Sequence, residues 1–123
     1  MSLAKRFAPP LLLMGLIFFL SAQPDLSTGL GDWDLALRKL AHMAEYGLLW
    51  FLWWRALAYG NPTAAIVGTV AIAVGYAATD EVHQSFVQGR HGTPVDVAID
   101  ALGVGLAGLA VVLNARRRAA AAA

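Results

Sequence analysis

The sequence predicts an all-α protein, a single bundle of four transmembrane helices. Three observations predict it. Hydrophobic residues make up 59% of the 123 residues and charged ones 14%, where soluble domains run at roughly 45–50% and roughly 25%. The apolar residues come in long runs broken by short polar stretches. A chain of this length has too little interior to hide that much apolar surface from water, so lipid is the matching solvent. The formal net charge of +1 gives no argument for a nucleic-acid partner. There is no cysteine, which excludes disulfides and thiolate metal sites and leaves the redox compartment unread. The length suits one domain, residues 1–118, with Ala119–Ala123 as a frayed alanine tail.

Each element has its own signal. The first apolar run is Leu11–Leu20, preceded by Lys5, Arg6, Pro9 and Pro10. A signal peptide ending near Ser21-Ala22 is one reading of it. A retained membrane helix starting near Phe7, with both prolines in its first turns, is the other. The run closes on Gln23-Pro24, not on a clean small-x-small site, which favours the helix. Pro24–Asp34 is rich in Pro, Gly and Asp and reads as a loop, with Asp34 as a helix cap and Trp33 at the interface.

The second helix is predicted over Leu35–Tyr59, ending in an aromatic belt of Trp50, Phe51, Trp53, Trp54 and Tyr59 with a snorkelling Arg55. Gly60-Asn61-Pro62 makes a turn. The third covers Thr63–Ala78 and runs on as far as Gln84 or Phe86, with Gly68, Ala71 and Gly75 as its close-packing residues. The fourth runs from about Val95 to Asn114. Thr93 suits its N-cap, Pro94 its first position and Asp96 the third, while Gly103, Gly105 and Gly108 offer a packing surface.

With both termini on one side, that side holds Lys5, Arg6, Arg55, Arg116, Arg117 and Arg118, and the other holds Arg38, Lys39 and Arg90. The positive-inside rule then makes both termini cytoplasmic. All eight acids fall on the outer side or in the outer reaches of the helices. Two polar stretches meet there. In the first, Lys39, His42 and Tyr46 share a helical stripe, with Glu45 one turn beyond His42. In the second, Asp80 pairs by spacing with His83 and Gln84, beside Glu81, and Arg90 and His91 follow in a turn. Asp96 and Asp100 open the last helix on one stripe.

A carboxylate inside a membrane costs roughly 2–4 kcal/mol, so Glu45 and Asp100 should face the bundle interior and find partners. Asp, Glu and His are suitable ligands for a divalent metal from magnesium to zinc, and His42, Glu45, Asp80, Glu81 and His83 are the candidates. No spacing matches a closed zinc motif. Arg90 can grip a phosphate or carboxylate bidentately. Plainer roles stand beside these: Asp96 as a helix cap, Glu81 as a solvated side chain, His42 as a structural histidine, and Arg90 and His91 as surface residues.

The motifs Lys39-x-x-His42-x-x-Glu45-Tyr46-Gly47 and Asp80-Glu81-x-His83-Gln84-x-Phe86-x-x-Gly89-Arg90, followed by Asp96, resemble the VanZ-like membrane protein family. Ser21-Ala22-Gln23-Pro24 is similar to that family's Ser-rich Gln-Pro turn. The resemblance spans about Leu16–Gly108. It departs at Gln88, where a Pro is usual, and at Asp100, where an Asn is usual. It implies a small multi-span protein of the bacterial envelope, in the inner (cytoplasmic) membrane. The family takes its name from a protein linked to low-level teicoplanin resistance.

The expectation is an outer pocket that binds an anionic lipid-linked or cell-wall-related ligand. Lys39 and Arg90 would hold the anion, His42, Glu45, Asp80, Glu81 and His83 would bind a metal or relay protons, and Tyr46, Gln84 and Asp96 would complete the lining. Two other readings stay open. One is a lipid phosphate hydrolase with His42 or His83 as general acid–base. The other is an accessory subunit packed in a larger membrane complex.

Overall fold

A computed structural model of the chain describes residues 2–21, 32–87 and 94–123. They form four α-helices: α1 (Leu3–Ser21), α2 (Asp32–Leu57), α3 (Pro62–Gln84) and α4 (Pro94–Ala122), with no strand among the described residues. Successive helices run in opposite directions. Arg6 reaches Ala56 at one end of the bundle, while Ser21 reaches Asp80 and Lys39 reaches Asp96 at the other. Among the described residues α2 touches all three other helices and packs most extensively on α4, and α1 does not reach α4.

The ends of the helices differ from the expectations for local reasons. α1 starts at Leu3 and not near Phe7, because Ser2 caps it: the Ser2 hydroxyl accepts the Lys5 amide at 3.3 Å. Pro9 and Pro10 therefore sit inside the helix, where neither can donate to the carbonyl four residues back. The carbonyl that Pro9 leaves bare, that of Lys5, instead accepts Arg55 Nη2 at 3.1 Å.

α2 begins at Asp32, which puts Asp34 within the helix and not in front of it. Asn61 caps α3 through its side chain, accepting the Ala64 amide at 3.2 Å, and Pro62 takes the first helical position, where a missing N–H is harmless. α4 continues past Asn114 through the arginines and into the alanine run, the residue type with the highest helix propensity. The predicted loop over 24–31 and the Thr93 cap lie outside the described residues.

Three helices are long and apolar enough to cross a membrane: Leu3–Ser21, Ala64–Gln84 and Pro94–Ala122. α2, the fourth expected span, does not meet that test among the described residues; it carries Asp32, Asp34, Arg38, Lys39 and Glu45 between its start and its middle. It touches each of the other three helices, as α3 also does. Polar side chains in such a helix can face protein in place of hydrocarbon, the arrangement lipid demands. Elsewhere the surface is apolar, with Leu11, Leu12, Leu16, Phe18, Phe19, Leu102, Leu106 and Leu109 all exposed.

Because lipid tails are as apolar as leucine, small residues must hold such a bundle together by close packing. Between α2 and α4 they are Gly47 and Gly103. A β-carbon on Gly103 would lie 2.8 Å from Met43 Cα and nearer still to its carbonyl oxygen, and one on Gly47 would lie 3.0 Å from the Gly103 oxygen. Gly108 lies beside the Trp50 ring, whereas Gly105 has nothing near it.

On α3 the expected small residues are not the packing ones. Gly68 and Gly75 face open space and Ala71 is exposed, while Ala65, Thr69, Ala73 and Ala77 are buried at helical spacing. The tryptophans also divide. Trp50 is only 1% exposed and joins Ile17, Tyr46, Leu49, Ala73, Ala77 and Val104 in the core, so it is no belt residue. Trp54 stacks on Trp50, and Trp53 packs against Phe7.

Candidate functional site: a buried polar cluster

The buried stripe of α3 ends in polar residues. Four residues per step along Ala65, Thr69, Ala73 and Ala77 lead into Asp80 and Gln84, which are 1% and 5% exposed. The Ser21 hydroxyl, at the last turn of α1, donates to Asp80 Oδ1. Gln84 Nε2 donates to Asp80 Oδ2 at 3.1 Å and lies 3.4 Å from Ser21 Oγ. One carboxylate thus ties α1 to α3 and meets donors at both oxygens, as a buried acid requires.

A second knot joins α2 to α4. His42 Nδ1 stands 3.4 Å from Asp100 Oδ1, close enough for an ion pair but without hydrogen-bond geometry. Asp100 is 1% exposed, and among the described residues neither of its oxygens has a hydrogen-bond donor. Lys39 Nζ reaches Asp96 Oδ1 at 2.9 Å, also between α2 and α4 but nearer the surface. The register of Lys39 on Asp96, His42 on Asp100 and Met43 on Gly103 shows α2 and α4 running side by side and parallel.

Tyr46 lies beneath His42, fully buried, its ring 6.4 Å from the imidazole and its hydroxyl without a hydrogen bond among the described residues. Tyr76, from α3, faces Tyr46 and donates to the Met14 carbonyl of α1 at 2.5 Å. Asp80, Glu45 and Asp100 all act electrostatically on His42. Three acidic side chains thus act on one imidazole in a region of low dielectric, where charges interact far more strongly than in water.

Beside this cluster lies a cavity of about 230 Å³, lined by Ile17, Leu20 and Ser21 of α1 and by Arg38, Ala41, His42 and Glu45 of α2. Its walls are apolar except where Ser21, Arg38, His42 and Glu45 meet.

The predicted site residues therefore have different fates. His42, Glu45, Tyr46 and Asp80 come together, Gln84 holds Asp80, and Lys39 and Asp96 form a pair at the edge. Glu81 is buried at the end of α3. His83 turns to α1, where it stacks on Phe18 with ring centroids 4.1 Å apart and planes 8° from parallel. Arg90 and His91 lie outside the described residues. Among the described residues no three of His, Cys, Asp and Glu are gathered so as to hold a metal ion.

Sequence reasoning left Ser21 and Arg38 out of the site, and turned Asp100 toward the bundle interior without counting it among the ligand-binding residues. Asp100 had a legible signal, since it follows Asp96 by one turn on the same face. Arg38 weighed only in the sidedness count. Nothing in the local sequence marks Ser21 as the donor to Asp80, because that contact joins residues 59 apart.

The fold and the cluster define a helical membrane protein with a polar knot at one end, to which all four helices contribute. The sequence model of the VanZ/LLP1 family matches residues 7–115, and the chain belongs to that family. No curated protein and no solved structure matches it.

Proposed function

We propose that the polar end of the bundle faces outward from a bacterial cytoplasmic membrane and binds an anionic, lipid-linked ligand of the cell envelope. The cavity between α1 and α2 is the observation that carries this reading. It combines apolar walls from Ile17, Leu20 and Ala41 with a guanidinium, an imidazole and a carboxylate from Arg38, His42 and Glu45. That combination suits an amphiphile with a phosphate at its head. Arg38 is the better anion holder, because it lines the cavity and Lys39 does not, and its planar fork matches phosphate oxygens. Glu45 would accept hydroxyl groups next to the phosphate. Asp80 and Asp100 stand behind the lining and shape it.

The test is titration of the detergent-purified protein with a short-chain polyprenyl phosphate, followed by calorimetry. Arg38→Gln is expected to weaken binding about tenfold or more, the usual worth of a charged hydrogen bond. Equal affinity in Arg38→Gln and the parent would refute the assignment. A link to teicoplanin resistance is tested separately, by the change in drug sensitivity when the protein is expressed in a susceptible host.

The His42–Asp100 pair supports a second reading. A histidine backed by a carboxylate on Nδ1 and lining a cavity has the arrangement of a general acid–base. Release of inorganic phosphate from a polyprenyl diphosphate, abolished in His42→Ala, is the outcome this reading expects.

A further inference from the structure

The opposite end of the bundle is chemically unlike the first. Residues 46–79 and 101–123 contain no acid, nor does the chain before Asp25. Six bases gather at that end: Lys5, Arg6, Arg55 and Arg116–Arg118. The register of α4 along α2 carries the last three level with the end of α2. The bases are not equivalent. Arg6 donates through Nε and Nη2 to the Ala56 carbonyl, at 3.1 and 2.6 Å, and its guanidinium lies over the Tyr59 ring at 4.0 Å, so it serves as a C-cap for α2.

Arg55 uses Nη2 on the Lys5 carbonyl, while its Nε is buried without an acceptor among the described residues. Lys5, whose carbonyl it holds, is itself exposed. Between them runs an open groove of about 510 Å³, lined by Ala4, Lys5, Ala8, Pro9, Leu12 and Arg55. Two cations thus head a groove whose remaining wall is apolar and leads from the end of α1 toward its middle.

We propose that this groove binds an anionic phospholipid, with the phosphate between Lys5 and Arg55 and an acyl chain along Ala8, Pro9 and Leu12. Charge complementarity commits the site to a lipid of this class. Among the described residues no acidic side chain lines the groove with the two bases, and the apolar floor suits a chain that a soluble phosphate lacks. Basic pockets between membrane helices take anionic headgroups for the same reason. The proline that made the site matters as well. By leaving the Lys5 carbonyl bare, Pro9 draws Arg55 to the foot of α1, where it lines the same groove as Lys5. The proposal is independent of any ligand at the polar end.

Native mass spectrometry of the detergent-purified protein tests it, with phosphatidylglycerol and phosphatidylcholine of identical acyl chains as probes. The protein is expected to prefer phosphatidylglycerol, and Lys5→Gln to lower that preference about fivefold, the worth of one base near an anionic surface. Lys5→Gln keeps the backbone carbonyl that Arg55 needs, so the fold is spared. Replacing Arg116, Arg117 and Arg118 together by Gln is expected to lower the preference less than Lys5→Gln alone.

Equal binding of the two lipids, or no change in Lys5→Gln, overturns the proposal. A larger loss from the triple variant also overturns it, by showing diffuse attraction to the basic end. Competition by glycerol phosphate at the same concentration as the lipid would overturn the lipid assignment in favour of a soluble anion.

Discussion

Gly103 is the position where a single methyl group should tell most about this bundle. In Gly103→Ala the new β-carbon would lie 2.8 Å from Met43 Cα and closer to its carbonyl oxygen. Non-bonded carbons prefer about 3.5–4.0 Å, so α2 and α4 must part there by about 1 Å. The obstacle is backbone, which has no rotamer to change. Overpacking of this kind costs about 1–3 kcal/mol. Alanine in place of glycine regains up to about 1 kcal/mol of helix propensity, so the balance is a loss of up to about 2 kcal/mol.

Gly105→Ala is the internal control, because nothing lies within 4 Å of its added carbon. There the propensity gain acts alone. Thermal unfolding in detergent, followed by tryptophan fluorescence, is expected to rank Gly105→Ala at or above the parent and Gly103→Ala below it. Equal stability of the two variants would refute the account of how α2 and α4 are held. The separation of these helices would also stretch the Lys39–Asp96 and His42–Asp100 contacts, which bridge the same interface.

Three further outcomes follow from the buried polar groups. Asp80→Ala strands the Ser21 hydroxyl and the Gln84 amide and is expected to destabilise by about 1–3 kcal/mol per stranded group; the same unfolding assay measures it, and the loss should nearly vanish when Ser21→Ala and Gln84→Leu are present as well. Removing His42 leaves Asp100 buried without the imidazole that stands against it, so His42→Ala is expected to cost about 3–5 kcal/mol in the parent but far less beside Asp100→Asn; identical costs in the two backgrounds would show that the pair is not coupled. Arg55→Ala leaves the Lys5 carbonyl without a donor and should cost about 1–3 kcal/mol, whereas in Pro9→Ala the restored amide can bond that carbonyl and the cost of Arg55→Ala should shrink.

Much of the architecture is readable in the sequence. Composition demanded lipid, the breaks at Gly60-Asn61-Pro62 and Pro94 divided the apolar runs, and helical spacing put His42, Glu45 and Tyr46 together. Other features were invisible to such reasoning. Pro9 and Pro10 argued for a late helix start, and the start came earlier because Ser2 caps the helix and Arg55, 50 residues away, takes the carbonyl that Pro9 leaves bare. A tryptophan-rich stretch resembles an interfacial belt from composition alone, but which tryptophan turns inward depends on its neighbours in the bundle, and Trp50 lies in the core with Ile17, Leu49, Ala73 and Val104. On α3 the glycines suggested the packing face, although the face with the alanines meets the other helices.

The sequence by itself determined the solvent, the number of helices and the pair of polar segments, since hydrophobicity, period and turn residues are properties of the local chain. It also separated the acids from most of the bases. Only the tertiary structure decided which polar groups meet: Ser21 with Asp80, His42 with Asp100, Lys39 with Asp96, and Arg38 in place of Lys39 at the cavity. The reason lies in the packing. In lipid, helices settle where their small residues let backbones touch, and the meeting of Gly47 and Gly103 sets the register of α2 on α4. Every side chain above and below that contact inherits its partner from it.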